Sequence, residues 1–176
     1  TLHLASRPQE ESCGWTFNFH EPRLNLFVTG ASRPGRVAGR LFTEDVREFG
    51  KNLLIGQTIR PNRPPVQSLI EFTDGGIFPA VKTYYQQSEQ RLARLFCHED
   101  DEEDLVMVSA QPDCDEAWLA ALTDADIRAL DSTEQLSLLE QRTYVWECGC
   151  SVDRLYPILG RLADGDLDEV FGGEEI

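Results

Sequence analysis

Along the first part of the chain, apolar residues fall on every second position. Trp15, Phe17 and Phe19 alternate with polar neighbours, and after the turn-like HEPR (20–23) Leu24, Leu26 and Val28 do the same as far as Gly30. A period of two puts each set on one face of a strand, so the two runs predict a hairpin. Pro and Gly make 31–35 a loop, and 37–42 reads as a strand. PNRPP (61–65) lacks the donors a ladder needs and reads as a loop or an edge, whereas 66–72 is strand-like. The period then lengthens. Ile77, Val81, Tyr84 and Tyr85 stand at helical spacing, in a helix expected to open at Asp74 or Gly75 with Pro79 in its first turn. Two more strands are expected at 91–97 and 105–111, with the six acids of 99–104 between them as a solvated hairpin loop.

After Pro112 the pattern is helical. Trp118, Leu119, Leu122, Ile127 and Leu130 recur at steps of about three and four, with Asp124 as a point of breakage or re-capping. A further helix is predicted over 133–141 with Leu136 and Leu139 inward, then a short extended stretch over 143–147. Ser151 is expected to cap a helix carrying Leu155, Ile158, Leu159 and Leu162, and 167–171 forms a last short helix stopped by Gly172 and Gly173. Strands come first and helices after, which is an α+β order.

Composition narrows the classes. Sixteen Lys and Arg against 31 Asp and Glu leave a formal charge of −15 over 176 residues. Such a field repels a phosphate backbone, so nucleic acid is excluded as a partner. No apolar run approaches the ~18 residues of a membrane span, and no basic-then-apolar leader opens the chain. Five cysteines are too few for a disulfide scaffold, which points to a reducing cytoplasm.

Two of those cysteines stand together in WECGCSVDRL (146–155). Cys148 and Cys150 can place two thiolates on one metal ion, and a helix start at Ser151 would favour the thiolate form. Zinc takes about four ligands, so the pair is half a set. Cys97, His98 and Cys114 are remote in sequence and read better as packing residues, as does Cys13. Metal binding and thiol oxidation are the two chemistries this pair suits, and no Walker-type glycine loop points to ATP.

YYQQSEQ (84–90) followed by a strand, then ECGCSVDRL (147–155) followed by a helix and an acidic stretch ending in Gly-Gly, resembles the heat-shock protein 33 family of redox-regulated holdase chaperones. The resemblance runs over 68–176, and GRVAGRLF (35–42) resembles a strand of that family. It implies a β-rich core over 1–111 with a helix after the 66–72 strand, a helical linker over 112–142, and over 143–176 the first half of a C-terminal zinc-binding redox switch. In that family the C-x-C is followed by a C-x-x-C, and four thiolates hold zinc until oxidants convert them to disulfides. The second pair is expected beyond Ile176, so the chain reads as truncated at both ends and zinc binding by this form as weak or absent. The resemblance further implies no enzymatic activity, unfolding client proteins as partners, a homodimer, and Cys148 and Cys150 as both metal ligands and redox switch. Trp118, Leu122, Ile127, Leu136 and Leu139 are its linker apolar surface, although any packed helix shows such residues. Two other readings stay open. One is a thiol–disulfide oxidoreductase using the Cys-Gly-Cys dithiol, and the other is a zinc-free dimeric binding module.

Overall fold

The alternating runs build one six-stranded sheet. The computed structural model describes residues 1–7, 10–73, 76–98, 101–147, 151, 153, 156–157 and 160–161, with the side chains of 98 and 101–103 excepted. A short helix α1 (Leu2–Ala5) leads into β1 (Ser12–Phe19), β2 (Leu24–Ala31), β3 (Arg36–Phe42), β4 (Leu53–Ile59) and β5 (Val66–Glu71). Helix α2 (Ile77–Gln87) precedes a hairpin of β6 (Ala93–His98) and β7 (Asp101–Ser109). Helices α3 (Glu116–Ala121), α4 (Asp124–Arg128) and α5 (Leu130–Thr133) follow, then the two-residue β8 (Val145–Trp146). The strand order is β5-β4-β1-β2-β3-β8, antiparallel throughout except for the parallel pair β3–β8.

Register explains which face is buried. Phe17 lies opposite Leu26 on one side and Leu54 on the other, and Leu54 lies opposite Ile70. Side chains two apart share a face, so Trp15, Phe19 and Val28 join that row. Helix α2 lays Ala80, Val81, Tyr84 and Tyr85 on the same core. Tyr85, Phe17 and Leu54 are fully buried, each contributing about 1.5–3 kcal/mol over an exposed position. A second cluster joins Phe96 and Ala110 to Leu119, Leu122 and Ile127. Arg94 fixes it from below by donating to the otherwise unpaired carbonyls of Leu119, Ala120 and Leu122 at the end of α3.

The chain divides into two units, Thr1–Trp146 and Glu147–Ile176. In the second, Asp153, Tyr156 and Pro157 are helical, and the Gly160 amide donates to the Tyr156 carbonyl. The predicted helix side chains at 155, 158, 159 and 162, and the helix over 167–171, lie outside the described residues.

Several expectations are corrected. The acidic run is not all loop: β7 starts at Asp101, after a register irregularity at Cys97 and His98, because a two-stranded ribbon with open edges tolerates a charged stretch. Helix 133–141 does not form. The chain from 134 to 144 has neither helix nor strand, and Leu136 and Leu139 point to solvent. A short helix with nothing to pack against is marginal in water, and none of the core reaches these leucines. Leu122 and Ile127, by contrast, are ordinary core. The break near Asp124 is real: Thr123 caps α4 in a capping box with Asp126. Helix α2 starts at Ile77 behind Gly76, and 74–75 lie outside the described residues.

Candidate functional site

Cys148 and Cys150, the expected metal and switch residues, lie outside the described residues. The other three cysteines carry no disulfide. Burial pushes the Cys13 thiol up to about 11, which keeps it protonated and unreactive at neutral pH. Cys97 sits on β6 opposite Leu105, and Cys114 packs on the second cluster. Among the described residues no group of three His, Cys, Asp or Glu side chains could hold a metal ion.

The segment ahead of Cys148 is anchored on the sheet. Val145 donates to the Gly35 carbonyl at 3.0 Å, and Val145 and Trp146 pair with Arg36 and Val37. The fit needs glycine. A Cβ at Gly35 would stand 2.0 Å from the Thr143 carbonyl oxygen, and one at Gly39 would meet the Phe27 carbonyl and press on the Trp146 ring. Arg142 makes the second attachment. Its guanidinium donates to the carbonyls of Leu4 (2.7 Å) and Arg7 (2.8 Å), and Glu140 grips it through both carboxylate oxygens. Those bonds hold Arg142 firmly protonated. Between α5 and this attachment the chain has neither helix nor strand, and Leu136, Leu138 and Leu139 are 57%, 85% and 94% exposed. Trp146 is 72% exposed.

YYQQSEQ has a different role from what a surface motif would have. Tyr84 and Tyr85 are buried under the N-terminal segment, and Glu89 sits among arginines. The His3 ring packs on Trp15 at 4.9 Å and edge-on to both tyrosines, with Nδ1 2.9 Å from the Tyr85 hydroxyl. Glu11, almost fully buried, takes Arg7 at one oxygen (3.3 Å) and Arg60 at the other (3.0 Å). Arg7 also pairs with Glu89 Oε1, which accepts from the Tyr84 hydroxyl at 3.3 Å, while Arg91 lies 3.9 Å from Oε2 and over the Tyr85 ring. Ser88 contacts Ser68 on β5 at 2.6 Å.

The electrostatics follow from this crowding. Burial pushes His3 down to about 3, with Arg7 acting the same way, so the ring is neutral. Burial pushes both phenols up. Burial also opposes ionisation of Glu89, but the Arg7 hydrogen bond and charge outweigh it and hold the carboxyl below its ordinary value. Sequence reading found the motif without its partners. His3, Arg7, Glu11 and Arg142 come from stretches with no periodic signal, and only the four-residue spacing of Arg7 and Glu11 hinted at a pair.

An antiparallel sheet closed by one central helix, with a helical and extended C-terminal run and few helices overall, defines the class as α+β. Comparison with solved structures finds the same fold in the crystal structure of the 33 kDa chaperonin (heat-shock protein 33 homologue) of Thermotoga maritima. That likeness has a TM-score of 0.62 at 13% identity and covers 96% of this chain and 70% of that one. No protein-family model matches the chain, and no curated protein sequence matches it.

Proposed function

We propose that the chain is an ATP-independent holdase chaperone that binds unfolding proteins under oxidative stress, switched by oxidation of Cys148 and Cys150. The observation that carries this reading is the irregular segment 134–144. Its three leucines face solvent immediately ahead of an exposed tryptophan and the C-x-C pair. Single exposed leucines are ordinary, but three within four residues, beside the attachments made by Arg142 and β8, form a surface that gains by covering another apolar chain. Burial of that kind needs no nucleotide and no covalent step. The shared fold and the chaperonin name of the Thermotoga maritima protein support it.

In the proposed switch, each disulfide forms from two thiols that lose their protons and pass two electrons to one hypohalous acid or peroxide, which leaves as halide and water or as water, so Cys148 and Cys150 paired with two further thiols take two such steps. A tight C-x-C ring is strained, so pairing with other thiols is favoured. Zinc would stabilise the reduced form only with two ligands besides Cys148 and Cys150. The reading includes a homodimer in the cytoplasm. Among the described residues no helix is long and apolar enough to cross a membrane.

The test is suppression of citrate synthase aggregation before and after hypochlorous acid. The oxidised protein is expected to suppress aggregation and the reduced protein to do so several-fold less, with Cys148→Ser/Cys150→Ser losing the gain. Leu138→Ser/Leu139→Ser is expected to weaken suppression in the oxidised protein. No gain on oxidation would remove the redox part of the proposal, and full activity of the leucine variant would remove the surface.

A further inference from the structure

We propose that the irregular segment 134–144 selects unfolding chains by charge, taking apolar stretches flanked by lysine and arginine and turning away acidic ones. The proposal rests on the holdase reading and names the class of client that its surface takes.

An uneven spread of charge along the chain carries it. Residues 1–112 hold 12 lysines and arginines against 15 acids, 12 − 15 = −3. The much shorter stretch 113–147 holds two arginines and no lysine against nine acids, 2 − 9 = −7. All nine of those acids are exposed. Asp115 and Asp126 cap helices, but their partners are backbone amides and a threonine hydroxyl, which leave the negative charge in place. Arg142 does little to offset it outward. Glu140 takes its guanidinium through both carboxylate oxygens, the Leu4 and Arg7 carbonyls take the rest, and the side chain is 13% exposed. Along the chain the solvent-facing leucines are therefore preceded by Asp131 and Glu134, and Trp146 is followed by Glu147.

An apolar surface alone is indiscriminate, because burial of apolar area has no direction. Selection needs a term that differs between clients, and like charges brought together supply a repulsive one. A basic client gains twice. Its ammonium and guanidinium groups meet carboxylates a few residues from the leucines, and its lysine and arginine stems lie along Leu136, Leu138 and Leu139. An acidic client brings the same apolar area into a field that repels it. The rule extends to this chain itself. With a pI of about 4.5, its own unfolding segments are acidic, so copies of the protein are poor clients and the exposed leucines of two copies are kept apart.

The experiment uses the oxidised 176-residue protein and two fluorescent peptides. Both carry one apolar core of leucine, phenylalanine and valine, flanked at each end by lysines in one and by glutamates in the other. Binding is read by fluorescence anisotropy. In about 0.01 M salt, where the screening length is about 30 Å, the lysine-flanked peptide is expected to bind at least about tenfold tighter. In about 0.15 M salt, where that length is about 8 Å, the ratio is expected to shrink several-fold. Asp131→Asn/Glu134→Gln is expected to lower the low-salt ratio about threefold and Asp131→Lys/Glu134→Lys to abolish it. Glu140 is left unaltered because it holds Arg142. Equal binding of both peptides, weakened alike by Leu138→Ser/Leu139→Ser, overturns the charge selection and leaves the leucine surface standing. Binding of neither peptide overturns that surface and the selection with it. A ratio that survives Asp131→Lys/Glu134→Lys, or equally tight binding of a lysine peptide without the apolar core, places the preference elsewhere and overturns the proposal as well. Should that double lysine variant not fold, Asp131→Asn/Glu134→Gln decides, and an unchanged ratio there overturns the proposal.

Discussion

Glu89 is the only acid in YYQQSEQ, and it faces Arg7, Arg91 and the Tyr84 hydroxyl at once. Removing its charge leaves Arg7 with Glu11 alone and Arg91 over a ring. Glu89→Gln is expected to destabilise by about 3 kcal/mol, the usual result of breaking a largely buried pair, read as a lower urea midpoint. The pH dependence has a definite sign. The folded carboxyl lies below its ordinary 4.5, so the stabilisation is complete above that value and is lost as pH falls through the folded one. The midpoint of the unaltered protein should therefore drop below about pH 4.5, and the Glu89→Gln curve should be flatter there. An equally steep acid limb in the variant would mean that other groups carry it.

At the scale of elements, β8 depends on absent side chains. Gly35→Ala would push a Cβ into the Thr143 carbonyl, so the two rungs of β3–β8 should open. Exchange of the Val145 amide is expected to rise at least about tenfold, with β1 amides unaffected, because only edge pairing is lost. Unchanged exchange at Val145 would show that Arg142 alone holds the segment. Such dependencies are what a sequence conceals. Strands β1, β2 and β5 and helix α2 were legible because one face of each meets the core, and the period of two or 3.6 records that burial. Strand β4 escaped notice because Gly56 and Thr58 occupy its core-facing positions beside Leu54, which blurs the alternation. Over 133–141 the leucines imitate a helical stripe, but nothing packs on them. The polar cluster under YYQQSEQ was not legible, since its members come from positions 3 to 91 and are brought together only by the fold.

Over the whole molecule the charge of −15 sets a background against which the buried arginines work. Raising salt from 0.01 to 0.15 M shortens the screening length from about 30 Å to about 8 Å, which relieves long-range repulsion while leaving buried pairs almost untouched. Urea midpoints are thus expected to rise with sodium chloride over that range, and a fall would place the balance with exposed pairs such as Lys51–Glu71.

Arg142 reaches Leu4 across 138 positions of sequence, and β8 seats on a strand made more than a hundred residues earlier. A contact so distant in the chain is slow to close and can form only after nearly all of this unit has been synthesised. On the ribosome, β1 to β5 can assemble while Arg142 is still unmade. Helix α1, made long before Arg142, therefore waits for one of the last residues of its unit before this contact holds it in place. Until then the nascent chain displays the same tyrosines and tryptophan that its finished form hides.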